Sequence, residues 1–301
     1  HAGIPCYAST INYGNKMRKL EQAIREYGKE IGFDIIRFTS AESFLRDEKA
    51  ALARIRNGLM KGLSWYTEDR VRLANNPKKL LPNAKSVISV AVSYLTEERP
   101  QDDDLLRGKI ARYAWGDDYH KILKTRLREF ANALPSIANK PVNTRIFVDD
   151  GPMNDRAAAE RSGIGWFGKN TNILSQTHGS WIFLGQIITD LELEINRPLL
   201  KNCGECVRCI DACPTGAIVA PYVIDNTKCI SFLTIELREA IPVNMRPMIG
   251  DWIFGCDICQ DICPVNIDVE KSQVPGFHQR HDFAAPDLIP LLDLDDAGFS
   301  E

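Results

Sequence analysis

The apolar positions follow two periods along most of the chain. In "MRKLEQAIREYGKEIG", Leu20, Ile24 and Ile31 fall on one helical face that Gly32 ends, and "FDIIRFTS" (33–40) then reads as a short buried strand. "AESFLRDEKAALARIRNGLM" is helical again, with Ser40 as its candidate cap. Strands are expected at "SVISVAVSYL" (86–95), "TRIFVD" (144–149) and "SWIFLGQIITDLELE" (180–194). Helices are expected at "YHKILKTRLREFANAL" (119–134) and at "MNDRAAAERSG" (153–163), which Gly163 stops. The apolar stripes themselves read as core. The first sixteen residues, "HAGIPCYASTINYGNK", carry neither period and lack an initial Met. Met17 is therefore the expected start, and residues 1–16 a non-native or disordered leader.

Composition narrows what these elements can serve. The 301 residues are 44% hydrophobic and 26% charged, enough for one large domain and a smaller one. No apolar run approaches the roughly 18 residues of a membrane span, and no basic region precedes an apolar core, so a cytoplasmic chain without membrane contact is expected. A formal charge of −3, from 37 basic and 40 acidic residues, argues against non-specific coating of nucleic acid. In a reducing compartment, clustered cysteines point to metal or redox chemistry and away from disulfides.

Near residue 196 the long periodic segments give way to short ones, and eight of the nine cysteines fall between 203 and 263. "CGECVRCIDACP" spaces Cys203, Cys206, Cys209 and Cys213 as C-x2-C-x2-C-x3-C-P, the bacterial ferredoxin run for [4Fe–4S] clusters. Cys256, Cys259 and Cys263, followed by Pro264, repeat its last three positions, and Cys229 stands for the first across an insertion. Paired runs exchange their fourth cysteine. Cys203, Cys206, Cys209 and Cys263 are then expected on one cluster, and Cys213, Cys229, Cys256 and Cys259 on the other. Zinc is the alternative, but two separated C-x2-C pairs describe this run poorly.

Two clusters form an electron wire without naming what is reduced. A free-standing ferredoxin has no need of some 180 preceding residues, so the clusters are expected to feed a centre held by the first domain. The suggestive stretch there is "VDDGPMNDRAAAERSGIGWFGKNTNIL" (148–174), where Asp149 at a strand end precedes an Arg-bearing helix and a glycine-rich run. The glycines lack the third spaced position of a dinucleotide fingerprint. Singly, Asp149 reads as a helix cap, Arg156 as an ion-pair partner and Lys169 as a solvated charge. Together, beside two clusters, they read as a cofactor pocket.

This stretch, "ARYAWGDDYH" (111–120), "CGECVRCIDACPTGAI", "KCISFLTIE" (228–236) and "GCDICQDICPVN" (255–266) together resemble the epoxyqueuosine reductases, in order from Met17 to the end. The resemblance implies an α+β fold: a sheet domain (17–195) related to the reductive dehalogenase core, a ferredoxin-like two-[4Fe–4S] domain (196–270), and a tail (271–301) shorter than the family's. It implies a cytoplasmic monomer that reduces epoxyqueuosine to queuosine at the tRNA wobble position. Cobalamin would be its cofactor, bound base-off, with an external donor such as a flavodoxin or ferredoxin feeding the clusters. No Asp-x-His-x-x-Gly string supplies a cobalt histidine, since Asp118-Tyr119-His120 continues Lys-Ile-Leu.

By the same resemblance Asp149 is the proton donor, engaging the epoxide oxygen while low-valent cobalt engages the ring. Asp150 departs from the small hydroxyl residue frequent in the family. Arg156, Ile173 and Leu184 are expected near the corrin, with Ser231, Cys256 and Asp257 between a cluster and the corrin, and Arg70 or Arg72 at its amides or phosphate. Lys121, Lys124, Arg126 and Arg128 share one helix, a candidate tRNA face and equally a solvated one. The rival functions are a dehalogenase-like enzyme acting on a small molecule and a non-catalytic electron-transfer module.

Overall fold

A computed structural model describes residues 8–97, 99, 106–280, 284–295 and 298, with side chains from residue 19 onward. Helix α1 (Ala8–Glu30) begins inside the aperiodic opening stretch, so residues 8–16 are helical where no helix was expected. Residues 1–7, with Cys6, lie outside the described residues. In chain order there follow β1 (Ile35–Ser40), α2 (Leu45–Arg56), α3 (Glu68–Ala74), α4 (Pro77–Leu80), β2 (Ser86–Ser93), β3 (Lys109–Ile110), α5 (Tyr119–Ala138), β4 (Thr144–Phe147), α6 (Asp155–Ser162), β5 (Gly165–Phe167), β6 (Ile173–Ser175) and β7 (Ile182–Thr189). Ser40 does not cap α2; the helix starts at Leu45 behind Phe44, which makes no side-chain cap bond.

Four strands form one sheet in the order β1-β2-β7-β4, antiparallel at every pairing. Strand alternation sends Ile88, Val90 and Val92 to one face, where they pack with Ile24, Leu123, Leu127, Phe130 and Leu134. The other face carries Val87 and Ile188 against Ala157 and Ala158 of α6. A sheet between helices on both faces follows, and each fully buried Leu, Ile or Phe contributes roughly 1.5–3 kcal/mol. Asp118 caps α5 by accepting from the backbone N–H of His120. The face of α5 then lies close to Gly185, where a Cβ would stand 3.0 Å from the Leu127 side chain.

Beyond β7 the elements shorten to α7 (Arg208–Asp211), β8 (Ile218–Ala220), β9 (Val223–Ile224), α8 (Arg246–Ile249), β10 (Trp252–Phe254), α9 (Ile258–Asp261) and α10 (Leu288–Leu292). β10 pairs in parallel with β3, stitching the cysteine segment to the first half of the chain. The segment after the last cysteine returns as well: Asp117 N–H donates to the Gly276 carbonyl at 2.6 Å. Gly116 permits that crossing, because a Cβ there would lie 2.3 Å from the same oxygen. The fold is mixed helix and sheet, as expected. Among the described residues no helix is long and apolar enough to cross a membrane.

Candidate functional site

The eight clustered cysteines are brought together in two groups. Cys209 lies in α7 and Cys259 in α9, two single-turn helices that pack on each other. Cys203, Cys206, Cys209 and Cys263 line one cavity of about 260 Å3, measured with its open mouth. Cys256 has Cys229 and Cys213 as charged-state neighbours, and Cys259 has Cys256 and Cys229. Burial pushes the Cys256 thiol up to about 12 and that of Cys259 well above its ordinary value. Ligands must be thiolates, so thiols placed this way ionise together only beside a cationic centre that offsets the burial.

The donor set fits an iron–sulfur cube better than a single ion. Tetrahedral zinc, with Zn–S bonds near 2.3 Å, draws its thiols to about 3.8 Å from one another. Among the described residues no three His, Cys, Asp or Glu side chains converge in that way. Trp166 adds a second indication: it packs on Cys203 and Cys263, and its buried indole N–H has no partner. A cluster sulfur at this place would accept that bond.

The glycine-rich run lies elsewhere than expected. Gly168, Lys169 and Asn170 border the first cysteine cavity. Asn170 donates through Nδ2 to the Cys259 carbonyl at 3.1 Å, and Lys169 through Nζ to the Gly204 carbonyl at 2.7 Å. Gly165 serves the β5–β6 pairing, since a Cβ there would meet the Leu174 carbonyl at 2.4 Å. These glycines shape a wall around the thiols and make no phosphate loop.

Asp149 stands just past β4 with φ +50°, in the left-handed region that Asp tolerates better than most residues, at a cost on the order of 1 kcal/mol. Its side chain is 62% exposed, so the protein alone does not bury the carboxylate. Tyr119 donates to Asp149 Oδ2 at 2.6 Å, and His120 Nε2 lies 3.8 Å from the same oxygen. His120 Nδ1 is 2.9 Å from Asp118 Oδ1. The Tyr119 ring lies flat on Phe183, centroids 4.1 Å apart at 3°. Burial, then the charge of Asp149, holds the Tyr119 hydroxyl well above its ordinary value, which keeps it a donor. Asp150 turns instead to Lys124. The two adjacent aspartates are thus separated by their partners.

The remaining nominated residues divide. Arg70 reaches the Asp149 loop, donating to the Gly151 carbonyl at 3.3 Å while stacking over the half-exposed Trp65 at 5.0 Å. Arg72 is taken up on its own helix by Glu68 at 2.5 Å and Asp69 at 3.2 Å. Arg156 is exposed and makes one long bond, 3.4 Å, to the Thr171 carbonyl. Ile173 and Leu184 share one apolar cluster with Ala91 and Ala159. Ser231 precedes the turn Phe232–Glu236, beside the apolar cluster that contains Cys229, Cys256 and Tyr113. Asp257 differs from expectation: it is fully buried, holding Arg99 at 3.0 Å and Arg112 at 3.5 Å, and burial pushes its carboxyl up to about 6. Its carboxylate ties the start of α9 to Arg99 and to the turn at Arg112, and its side-chain oxygens are taken up there.

Of the four basic residues of α5, Lys121, Lys124 and Arg128 share one helical face and Arg126 leaves it. Lys124 goes to Asp150, and Arg126 is drawn to the Gly32 carbonyl at 2.8 Å. Tyr113, Tyr119 and His120 were missed as site residues, although Asp118 as the helix cap places both Tyr119 and His120 on its first turn. Tyr113 joins the two halves of the site: its ring contacts Tyr119 at 6.3 Å and Phe254 at 6.1 Å. Tyr113 also packs in the apolar cluster with Cys229 and Cys256, which links the second cysteine group to the Tyr119 side of the site.

Comparison with known proteins gives the same outline. Residues 75–150 match the family model described as epoxyqueuosine reductase QueG, DUF1730, and residues 202–266 match a 4Fe-4S double cluster binding domain. The chain is 38% identical to the epoxyqueuosine reductase of Cellulophaga algicola over 93% of its own length and 89% of that protein. It is 38% identical to the Escherichia coli enzyme over 92% of its length and 73% of that protein. It superposes on an epoxyqueuosine reductase solved with an epoxyqueuosine-modified tRNA-Tyr stem-loop, TM-score 0.87 at 35% identity, covering 94% of this chain and 75% of the other. The Bacillus subtilis enzyme, described with an aspartate catalytic loop swung out of its active site, superposes with the same TM-score at 33% identity, over 94% of this chain and 75% of that one.

Proposed function

Because the chain belongs to the epoxyqueuosine reductase family, we propose that it is the oxidoreductase that reduces epoxyqueuosine to queuosine in the wobble position of a tRNA anticodon stem-loop. The observation that carries the reading is the convergence of an exposed aspartate, held by Tyr119, with eight cysteines in two groups of four. Cys203, Cys206, Cys209 and Cys263 hold the outer [4Fe–4S] cluster, and Cys213, Cys229, Cys256 and Cys259 the one nearer Asp149. The open mouth of the first cavity suits docking of an external one-electron carrier such as a flavodoxin or ferredoxin.

Cobalamin would be held by Arg70, Arg156, Ile173, Leu184 and Ser231, between Asp149 and the second cysteine group. Ile173 and Leu184 offer an apolar side, and Arg70 and Arg156 have donors beyond their single long bonds to backbone carbonyls. Ser231 and the Cys256 backbone would close the cluster side. When bound, the cofactor would supply strongly reducing chemistry for opening the epoxide. The protein's own part is acid catalysis: Asp149 protonates the leaving oxygen, its carboxyl held by the Tyr119 hydroxyl. Cofactor and nucleoside together would supply the burial that this exposed carboxylate lacks. Arg70 holds the Asp149 loop through the Gly151 carbonyl. The chain acts as a cytoplasmic monomer on this reading.

The test is direct. Anaerobic protein with reconstituted clusters and cobalamin, given a low-potential reductant, should convert an epoxyqueuosine-bearing stem-loop to the queuosine form, read by nucleoside mass. An unchanged stem-loop in the presence of about eight irons and one cobalt per chain overturns the proposal.

A further inference from the structure

Removing an epoxide oxygen to leave an alkene breaks two C–O bonds, consumes two electrons and two protons, and releases one water. A low-potential one-electron carrier, used twice, supplies the electrons through the clusters. One carboxyl supplies one proton. The second must reach the same oxygen before water can leave, so Asp149 has to be reloaded within each turnover or be relieved by a neighbour.

The neighbour is on the first turn of α5. His120 presents Nε2 to Asp149 Oδ2 at 3.8 Å and Nδ1 to Asp118 Oδ1 at 2.9 Å. A ring with a carboxylate at each nitrogen can take a proton on one side and give it on the other. Asp118 is a partly exposed helix cap whose carboxyl is held below its ordinary range, after burial opposes it, by the His120 ring and backbone N–H and by Lys121. Asp118, His120 and Asp149 thus form one line of titratable groups, and once cofactor and nucleoside cover Asp149 the Asp118 end is the one left at solvent. Tyr119 stacks on His120 at 4.0 Å and on Phe183 at 4.1 Å, fixing both partners of the transfer. Of the other charges around this turn, Lys121 pairs with Asp118 and Lys124 with Asp150, while partly buried Asp155 of α6 acts on both Asp149 and Tyr119.

Resting on the assignment of Asp149 as the acid, we propose that His120, oriented by Asp118, delivers the second proton of each turnover by reprotonating Asp149. The motif Asp118-Tyr119-His120 is then a proton relay, with Tyr119 as a positioning residue.

The experiment compares wild type, H120Q, D118N and D149N at equal iron and cobalt content, with the stem-loop as substrate. Activity in the wild type together with its loss in D149N keeps the underlying reading intact, so that the His120 outcome stands on its own. H120Q is expected to lower kcat about 10- to 100-fold with KM unchanged, and added imidazole to restore at least a third of the loss on a logarithmic scale. D118N is expected to lower kcat several-fold. Independently of turnover, 15N-histidine spectra at fixed pH should show the His120 ring signals moving in D149N. A kcat for H120Q within twofold of wild type, a loss that imidazole does not touch, or ring signals unmoved in D149N overturns the relay. Because His120 is partly exposed, H120Q is expected to fold; should its iron content fall, D118N with imidazole and the 15N spectra decide the matter.

Discussion

The sheet region and the cysteine region solve the problem of holding a shape by different means. In the first, side chains at or near zero exposure pack both faces of an antiparallel sheet whose strands reach eight residues. In the second, α7 and α9 are four residues long and bury none of them, and β8 and β9 number three and two. Hydrophobic burial therefore explains the sheet region, while in the cysteine region it is gathered in one cluster of Ile230, Phe232, Leu233, Ile249 and Trp252 and the thiol-bearing turns depend on what they bind. The proposed chemistry sits where the two meet, on the Asp149 loop and the Tyr113 ring.

The largest effect should come from breaking the metal half. Cys259→Ser is expected to remove the inner cluster, lowering iron to about four per chain and abolishing turnover, while far-UV circular dichroism keeps the sheet signal. Complete chelation should melt residues 196–270 first, read by hydrogen exchange; loss of protection in β2 and β7 at the same time would erase the contrast. Next in size, Asp149→Asn should cost about 10²- to 10⁴-fold in kcat with iron content unchanged. On the sheet side, Leu127→Ala should cost about 2–5 kcal/mol of stability by denaturant unfolding, through the cavity left against Gly185, with cluster absorbance intact in the folded protein. Smallest, Arg70→Ala should lower turnover several-fold by loosening the Asp149 loop, and Arg72→Ala should do less, because Arg72 is spent on exposed pairs within its own helix.

The same contrast governs what could be read in advance. The sheet strands were legible because alternation of Ile88, Val90 and Val92 against Val87 is a local signal of burial. Thiol spacing made the cysteine grouping legible, since ligand chemistry constrains it as strictly as a core constrains strands. Contacts set only by the tertiary fold were not. Nothing near Asp257 announces Arg99 and Arg112, which come from more than a hundred residues away. Spacing rules out a dinucleotide loop at the glycines 165 and 168 but cannot give their reason, which is the close approach of Leu174 and Asn170. For chemistry, the string Asp118-Tyr119-His120 reads in sequence only as a failed cobalt-histidine motif, because the meeting of Tyr119 and His120 with Asp149 needs the turn after β4 folded back over α5.

The central claim is that Asp149 supplies a proton to a reduction driven by the clusters, and the most direct measurement is single-turnover conversion of the epoxyqueuosine stem-loop by pre-reduced enzyme. Wild type and Asp149→Asn would be matched in iron, cobalt and stem-loop affinity. The account predicts queuosine in the wild type and a rate at least 100-fold lower in the variant, with its cofactors still reduced and waiting. Equal rates in the two proteins would contradict it.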